Sequence, residues 1–590
     1  MNSQESAIKL SGQPTPTINT IPLRYADFAN LAEALDYAAT GATGANFYAG
    51  GKLATVLTYA ELREQAVALA CRLASLELPR GSCVAIVGET APYFLRFFFA
   101  CQYMGLVPVA LPASINLGGH AAYVEKLKGM LTSCGARVAV CSESFAGFLG
   151  EASESLDLVM QGTPEAFDEL VPVDASDIKP TQPEEISYMQ FTSGSTGFPK
   201  SAMIEAHALM ANIQGSVRSG VQMVEDDRFS SWLPFYHDMG LIGCLLTVVS
   251  SQRSIDYLDT REFAMRPRRW LELMHQNKGT VAYAPPFGYD LCARRVRPSD
   301  VENYDLSHWR VAGVGAEPIH PSVLDSFAET FEPTGFRKDS FVPSYGMAEN
   351  TLAISFSPLR EGVKVDWIDP DDLTDNLKVT PVEKGTGRGF VRCGKPMPYH
   401  KIKIVNDDDV ELSEKEVGRI LIHGPSLMTG YYKRPEETAK VLFEDNWYDT
   451  GDVGYLVDGE VVITGRHKDM IIINGRNIWP QDIEAIAEKQ LKVRTRDASA
   501  FGLTQEDGTE VAVVVVQTNM LHTEENKVLE AQIRRQVYEE LGVVCLVELV
   551  PRHTLPRTSS GKLSRSATRV GYLERLSQKE GDSSSRKAAV

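Results

Sequence analysis

Between Leu57 and Ala74 apolar residues recur at three- and four-residue intervals, which predicts an amphipathic helix. Thr58, with Glu61 three positions later, supplies a capping box at its start. The pattern then shortens into apolar runs. Cys83-Val-Ala-Ile-Val predicts a buried strand, the segment around Pro92–Met104 a helix, and Val107-Pro-Val-Ala-Leu a second buried strand. The same strand–helix rhythm returns around Arg137–Cys141, Ser187–Phe191 and Val311–Gly315. The body of the chain therefore reads as α/β, a large domain of mostly parallel sheets flanked by helices. Past Gly465-Arg-His-Lys-Asp469 the elements become shorter: a strand at Met470–Ile473, a helix at Trp479–Gln490, an alternating strand at Glu510–Gln517 and a helix at Glu524–Leu541. This places a large domain over residues 1–465 and a small, mobile α+β domain over residues 466–576. The polar run from Ser577 to Val590 is expected to be a disordered tail. No repeat of solenoid length is present.

Bulk composition narrows the function classes. A chain of 590 residues exceeds a single core, and 43% apolar with 23% charged residues is ordinary for a globular protein in water. The net charge of −18 disfavours nucleic acid and anionic membrane surfaces, both of which need basic patches. The most apolar stretch, Tyr93 to Ala113, contains Arg96, Pro108 and Pro112, so it reads as a core helix entering a strand rather than a membrane span. Met1 to Thr20 lacks the apolar core of a signal peptide, and a cytoplasmic location is expected. The nine cysteines form no C-x-x-C pair and no zinc-like cluster with histidine, which suggests buried free thiols.

The candidate chemistry begins at residues 191–200, Phe-Thr-Ser-Gly-Ser-Thr-Gly-Phe-Pro-Lys, directly after an apolar run. Hydroxyls, glycines that admit close backbone approach and one ammonium suit a polyphosphate. The Walker pattern is not met, because Phe198-Pro199 separates Gly197 from Lys200. Five further segments follow in order: Leu233-Pro-Phe-Tyr-His-Asp-Met-Gly, Gly313-Val-Gly-Ala-Glu-Pro, Ser344-Tyr-Gly-Met-Ala-Glu-Asn-Thr, Trp447-Tyr-Asp-Thr-Gly-Asp and Pro556-Arg-Thr-Ser-Ser-Gly-Lys. Each alone is weak. Together they resemble the adenylate-forming superfamily of acyl-CoA synthetases, luciferases and peptide-synthetase adenylation domains, over residues 30 to 570.

Within that superfamily the chain is similar to the fatty acyl-AMP ligases. The forms His237-Asp-Met-Gly-Leu-Ile-Gly, Tyr345-Gly-Met-Ala-Glu-Asn-Thr-Leu and Gly475-Arg-Asn-Ile-Trp-Pro-Gln-Asp-Ile-Glu carry that likeness. So does the long polar stretch Ser355–Gly387, where those ligases hold an insertion. Ile478-Trp479 departs from their usual His-Tyr. The resemblance implies ATP and Mg2+ as cofactors. It assigns Thr192, Ser193, Gly194, Ser195, Thr196, Gly197 and Lys200 to the ATP phosphates, and Glu349 to magnesium. Gly315, Ala316, Glu317, Tyr345, Gly346 and Met347 would form the adenine slot, while Asp452 and Arg466 would hold the ribose. Lys562 would bridge the carboxylate substrate and the α-phosphate, His237 would lie near the carboxylate and the thiol-transfer tunnel, and Asp469 would be the hinge of the small domain. Trp232, Leu241, Tyr283 and Phe287 are candidates for an acyl pocket.

The implied reaction turns a fatty acid and ATP into an acyl-adenylate and passes the acyl group to the phosphopantetheine thiol of an acyl carrier protein, expected as a separate chain. Two alternatives stay open: an acyl-CoA synthetase, and a non-catalytic AMP- or lipid-sensing module. Against the latter stand Lys200, Glu349, Asp452, Arg466 and Lys562, all present. Residues 551–576 hold six basic residues against Glu574, with Lys492, Arg494 and Arg496 nearby. An acidic carrier protein is expected to dock there, at Arg565 and Arg569.

Overall fold

The computed structural model describes residues 12–113, 119–192, 199–473, 476–491, 493–494, 496–504, 510–519, 524–558 and 562–587, with side chains as far as 578. Two large sheets form the body. In one, Gly44–Ala49, Ser254–Leu258, Arg228–Ser231, Val281–Ala284, Val311–Val314 and Phe341–Gly346 run parallel as neighbours, with antiparallel strands at both edges. In the other, Met160–Gly162, Ala136–Val140, Cys83–Val87, Val107–Leu111 and Ile186–Phe191 are parallel, and Ser201–Glu205 turns back antiparallel. The strands are buried on both faces because helices cover them, which is why they appear in the sequence as unbroken apolar runs. The helix Tyr59–Ala74 begins with the full capping box: Thr58 N–H donates to Glu61 Oε2 at 2.9 Å, and Glu61 N–H to Thr58 Oγ1 at 3.2 Å. Among the described residues no helix is long and apolar enough to cross a membrane.

Two features lie outside the pattern reading. Lys401–Val405, Gly418–His423, Tyr448–Val457 and Glu460–Arg466 form a four-stranded antiparallel sheet beside the parallel ones. The segment between Ser355 and Gly387 is also ordered. Val365–Ile368 pairs with Arg388–Val391, and the helix Pro370–Asn376 lies between them in sequence.

The C-terminal part is built on Ala498–Thr504, Glu510–Thr518 and Cys545–Pro551. The central strand of the three shows the layering: Ala512, Val514 and Val516 meet Ile483, Ile533 and Val537, whereas Val513 and Val515 meet Phe501, Leu555 and Tyr572. The Glu510 strand is thus buried on both sides, not alternating as its sequence suggests, because a helix covers each face. The final helix, Arg565–Lys587, runs on through residues expected to form a disordered tail. Tyr572 and Leu576 anchor it to the sheet, and extending an anchored helix is much easier than nucleating one. Trp479 packs among Val453, Tyr455 and Val462, so the small unit sits against the antiparallel sheet. A Cβ on Gly465 would lie 2.7 Å from the Trp479 ring, and this close approach requires the glycine.

The adjacent parallel strands Arg228–Ser231 and Ser254–Leu258 are pinned by a buried fork. Arg228 Nη2 and Nε donate to Asp256 at 2.6 and 2.7 Å, while Asn46 Nδ2 donates to the same carboxylate at 2.9 Å. Asp256→Ala, which strands a buried guanidinium, is expected to cost about 3–5 kcal/mol. A lowered thermal midpoint would report it. The double change Arg228→Met with Asp256→Leu should cost clearly less, and equal losses would contradict the desolvation argument.

Candidate active site

A cavity of about 1120 Å³ opens at the carboxyl ends of the parallel strands and is closed over by the small unit. Asp452 and Arg466 face each other across the antiparallel hairpin, with Arg466 Nε 3.2 Å from Asp452 Oδ1. Tyr345, at the end of its parallel strand, donates its hydroxyl to Asp452 Oδ2 at 2.7 Å. The negative charge of Asp452 lifts the Arg466 guanidinium further above its ordinary range. Gly315 and Gly346 hold the wall tight: an added Cβ would come 2.8 Å from the Ser344 carbonyl oxygen or 2.1 Å from that of Leu352.

Glu349 sits on a short turn after the strand that carries Tyr345. Burial pushes its carboxyl above the ordinary value of 4.5, and a hydrogen bond from Tyr431 Oη to Oε1 at 2.9 Å only partly opposes this. A desolvated carboxylate on the cavity wall fits a magnesium ion held chiefly by phosphates. Lys200 lies close by, its ammonium 2.6 Å from Glu437 Oε2 and 4.6 Å from the centre of the Tyr431 ring. Tyr431 therefore joins Lys200 to Glu349, a role that no motif signalled. Thr192 lines the cavity and donates its N–H to the Lys200 carbonyl at 2.8 Å. Ser193, Gly194, Ser195, Thr196 and Gly197 lie outside the described residues.

Lys562 is brought in from the small unit. Burial lowers the affinity of its amine for a proton, which Glu317, Asp238 and Asp452 partly restore and Arg466 opposes. In the same cavity, Asp238 Oδ1 is 2.7 Å from His237 Nδ1. Burial would raise the Asp238 carboxyl, but His237 and Lys562 hold it below its ordinary value. Asp238 is a cavity residue that the sequence reading passed over in favour of the histidine beside it. Glu317 turns towards the small unit, pairing with Arg496 Nη2 at 2.9 Å, while the Arg496 guanidinium lies 4.6 Å from the Phe287 ring centre. Met347, Gly346, Ala316 and Asp469 also line the cavity.

The apolar arm corrects part of the expected acyl pocket. Tyr283 and Phe287 line it, but Leu241 and Trp232 do not. Met239–Leu246 is a π-helix that runs into the helix Thr247–Ser250; Met239, Gly243 and Thr247 face the cavity, and Leu241 is buried in the core. Trp232 stacks on Phe263 at 3.8 Å and meets Phe287 edge-on at 5.6 Å, so it backs the wall rather than forming it.

The docking expectation also changes. Arg565 is not a free surface cation, since Glu484 and Asp469 engage it at 2.7 and 2.8 Å. Arg575 pairs with Glu548 at 2.6 Å. Arg569 remains exposed, with no ion pair among the described residues.

A family model described as AMP-binding enzyme matches residues 37–432, spanning the phosphate turn, Glu349 and the strands between them. The chain belongs to that family. A Caulobacter vibrioides protein provisionally named an acyl-CoA synthetase is 44% identical, over 95% of this chain and 98% of its own. The medium-chain-fatty-acid–[acyl-carrier-protein] ligase JamA of Moorena producens is 32% identical, over 93% and 96%. A structure from a study of fatty acyl-adenylate ligases of E. coli and L. pneumophila superimposes with a TM-score of 0.89 at 42% identity, covering 94% of this chain and all of the other. The enzyme thus has the adenylate-forming fold of the acyl-adenylate ligases and uses ATP.

The two shifted groups yield an expected pH dependence for the free enzyme. If Glu349 faces a cation it acts ionised, and activity is expected to rise with pH through a value above 4.5. If Lys562 acts charged, activity is expected to fall with pH through a value below 10.5. A profile of kcat/KM for pyrophosphate exchange should show both limbs displaced inwards. Glu349→Gln should remove the acidic limb and Lys562→Ala the alkaline one. Limbs that persist in those variants would assign them to other groups.

Proposed function

We propose that the enzyme activates a fatty acid to its acyl-adenylate and delivers the acyl group to the phosphopantetheine thiol of an acyl carrier protein. The observation that carries this reading is the continuity of one cavity. It runs from Thr192 and Lys200, past Asp452 and Lys562, to the apolar wall of Met239, Gly243, Thr247, Leu352 and Phe356. A carboxylate oxygen at the junction attacks the α-phosphorus, the bond to the β-phosphate oxygen breaks, and pyrophosphate leaves. Two anions meet in that step, and Lys562 offsets the charge of both. Asp452 keeps acceptor capacity for ribose hydroxyls, because each of its oxygens carries one contact and has a second lone pair. Glu349 would hold magnesium, which neutralises phosphate charge when bound. In the second step the thiol sulfur replaces AMP at the acyl carbonyl.

Support for a carrier protein over CoA comes from the ordered segment before Gly387. Arg476 of the small unit reaches Asp375 and Asp371 at 2.7 and 3.4 Å, and Asn477 Nδ2 donates to the Thr374 carbonyl at 3.3 Å. Arg388 pairs with Asp482 at 2.6 Å. The exposed pairs contribute roughly 0.2–1 kcal/mol each. Together they bias the small unit towards the adenylating arrangement without locking it, which disfavours a freely diffusing thiol that brings no docking energy. JamA, named for transfer to a carrier protein, supports this choice, whereas the Caulobacter vibrioides relative carries the name of an acyl-CoA synthetase.

The direct test incubates the protein with ATP, magnesium and a medium-chain fatty acid, with and without CoA, and resolves acyl-AMP from acyl-CoA by mass spectrometry. Accumulating acyl-AMP with no acyl-CoA is expected, and efficient acyl-CoA formation would replace the reading with a synthetase. Removing residues 370–376, or Arg476→Ala with Arg388→Ala, should raise acyl-CoA formation while acyl-AMP formation persists. Unchanged CoA use with adenylation intact would refute the restraining role.

A further inference from the structure

The short loop bearing Lys562 is held at both ends. Upstream, Thr558 N–H donates to the Lys562 carbonyl at 2.7 Å, Lys562 N–H returns to Thr558 Oγ1 at 3.2 Å, and Arg557 bridges Leu563. Downstream, Arg565 opens the last helix, three residues after the lysine. Each of its three guanidinium nitrogens makes a hydrogen bond. Nε and Nη2 donate to the two oxygens of Glu484 at 2.8 and 2.7 Å, and Nη1 donates to Asp469 Oδ2 at 2.8 Å. Glu484 is itself fixed, its Oε1 accepting Ala500 N–H at 2.9 Å. Asp469 closes the turn His467–Asp469 that follows Arg466, so the fork ties the lysine loop to the turn leading from the Arg466–Asp452 pair.

We propose that Arg565 is a positioning residue for adenylation: its fork on Glu484 and Asp469 sets where Lys562 enters the cavity and makes that position depend on the backbone at Asp469. This rests on the adenylating function proposed above. The planar fork matters because it fixes direction as well as charge. Lysine in its place would supply a point charge that can satisfy the two acids but cannot lock the angle between them. It also reverses the expectation drawn from the basic sequence run: altering Arg565 strikes adenylation first, not carrier docking. The position of an ammonium matters greatly to catalysis, since a misplacement near 1 Å can cost about 10²-fold in rate.

The test follows ATP–pyrophosphate exchange with a medium-chain fatty acid in the full-length protein and its Arg565→Ala, Arg565→Lys and Glu484→Gln variants, with thermal midpoints recorded alongside. Arg565→Ala is expected to lower kcat for exchange by about 10²-fold, with KM for ATP within about threefold. Arg565→Lys should recover part of the loss. In a Lys562→Ala background, Arg565→Ala should add less than about twofold, because it acts through that lysine. Exchange within about threefold of wild type in Arg565→Ala, or a loss that multiplies fully with that of Lys562→Ala, would overturn the proposal. If Arg565→Ala fails to fold, Arg565→Lys and Glu484→Gln decide by the same kcat-against-KM split. A wild-type protein that exchanges with no fatty acid overturns the functional reading and this proposal with it.

Discussion

Lys562 is partly withdrawn from water in a cavity where the charges of Glu317, Asp238 and Asp452 favour its ammonium, and much of the architecture serves to make that tolerable. An isolated buried ammonium costs several kcal/mol, and neighbouring carboxylates repay this only where geometry is good. Here the offset is incomplete, since burial still lowers the proton affinity of the amine. The site therefore holds a cation that is under-solvated before substrate arrives. A carboxylate and an α-phosphate would restore what water and the protein acids do not, and their mutual repulsion is the main barrier to the proposed reaction.

The same balance explains why the site draws on three structural sources. The parallel strands end at one edge, which brings Tyr345, at the end of its strand, and Glu349 and Glu317, just beyond theirs, to the same cavity. Asp452 and Arg466 come from an antiparallel hairpin, whose cross-strand register places them opposite each other. Lys562 comes from a unit with its own core. A cation carried on a separate body can be withdrawn, and a site that must both bind polyphosphate and release pyrophosphate gains from that freedom.

Much of this could be read from the chain. Capping signals and apolar runs located Tyr59–Ala74, Cys83–Val87, Pro92–Met104 and Glu524–Leu541, because each element buries a face whose period shows in the sequence. The chemistry-bearing residues stood in compact motifs. What stayed hidden depends on distance along the chain. Arg565 looked like one cation in a basic run, yet its acids lie 81 and 96 residues away, and no local pattern records such a pairing. The orientation of Leu241 was hidden for another reason: Met239–Leu246 is buried throughout, so its unbroken apolar run marks no face as the one that meets the cavity. Tyr431 reaches Glu349 only because Gly430-Tyr431 pairs with Ser201–Glu205, a contact between segments more than two hundred residues apart.

On the proposed reading, the position of the small unit is decided by many weak terms and one conditional one. Arg476–Asp375 is partly exposed and its contribution is small. Arg388–Asp482 and Arg496–Glu317 are better shielded from water. Terms of this size shift an equilibrium by about tenfold per 1.4 kcal/mol, so they bias closure without fixing it. On that reading ATP would differ, because it would interact with Lys562 only when the unit is closed. A ligand moves a conformational equilibrium only through such differential contact. Once pyrophosphate has left and the carboxylate charge is spent in the mixed anhydride, that contact weakens. Lys562 then again lacks sufficient counter-charge, and the surface ties, with the Arg565 fork, are left to hold a closed form whose strongest reason for closing has gone.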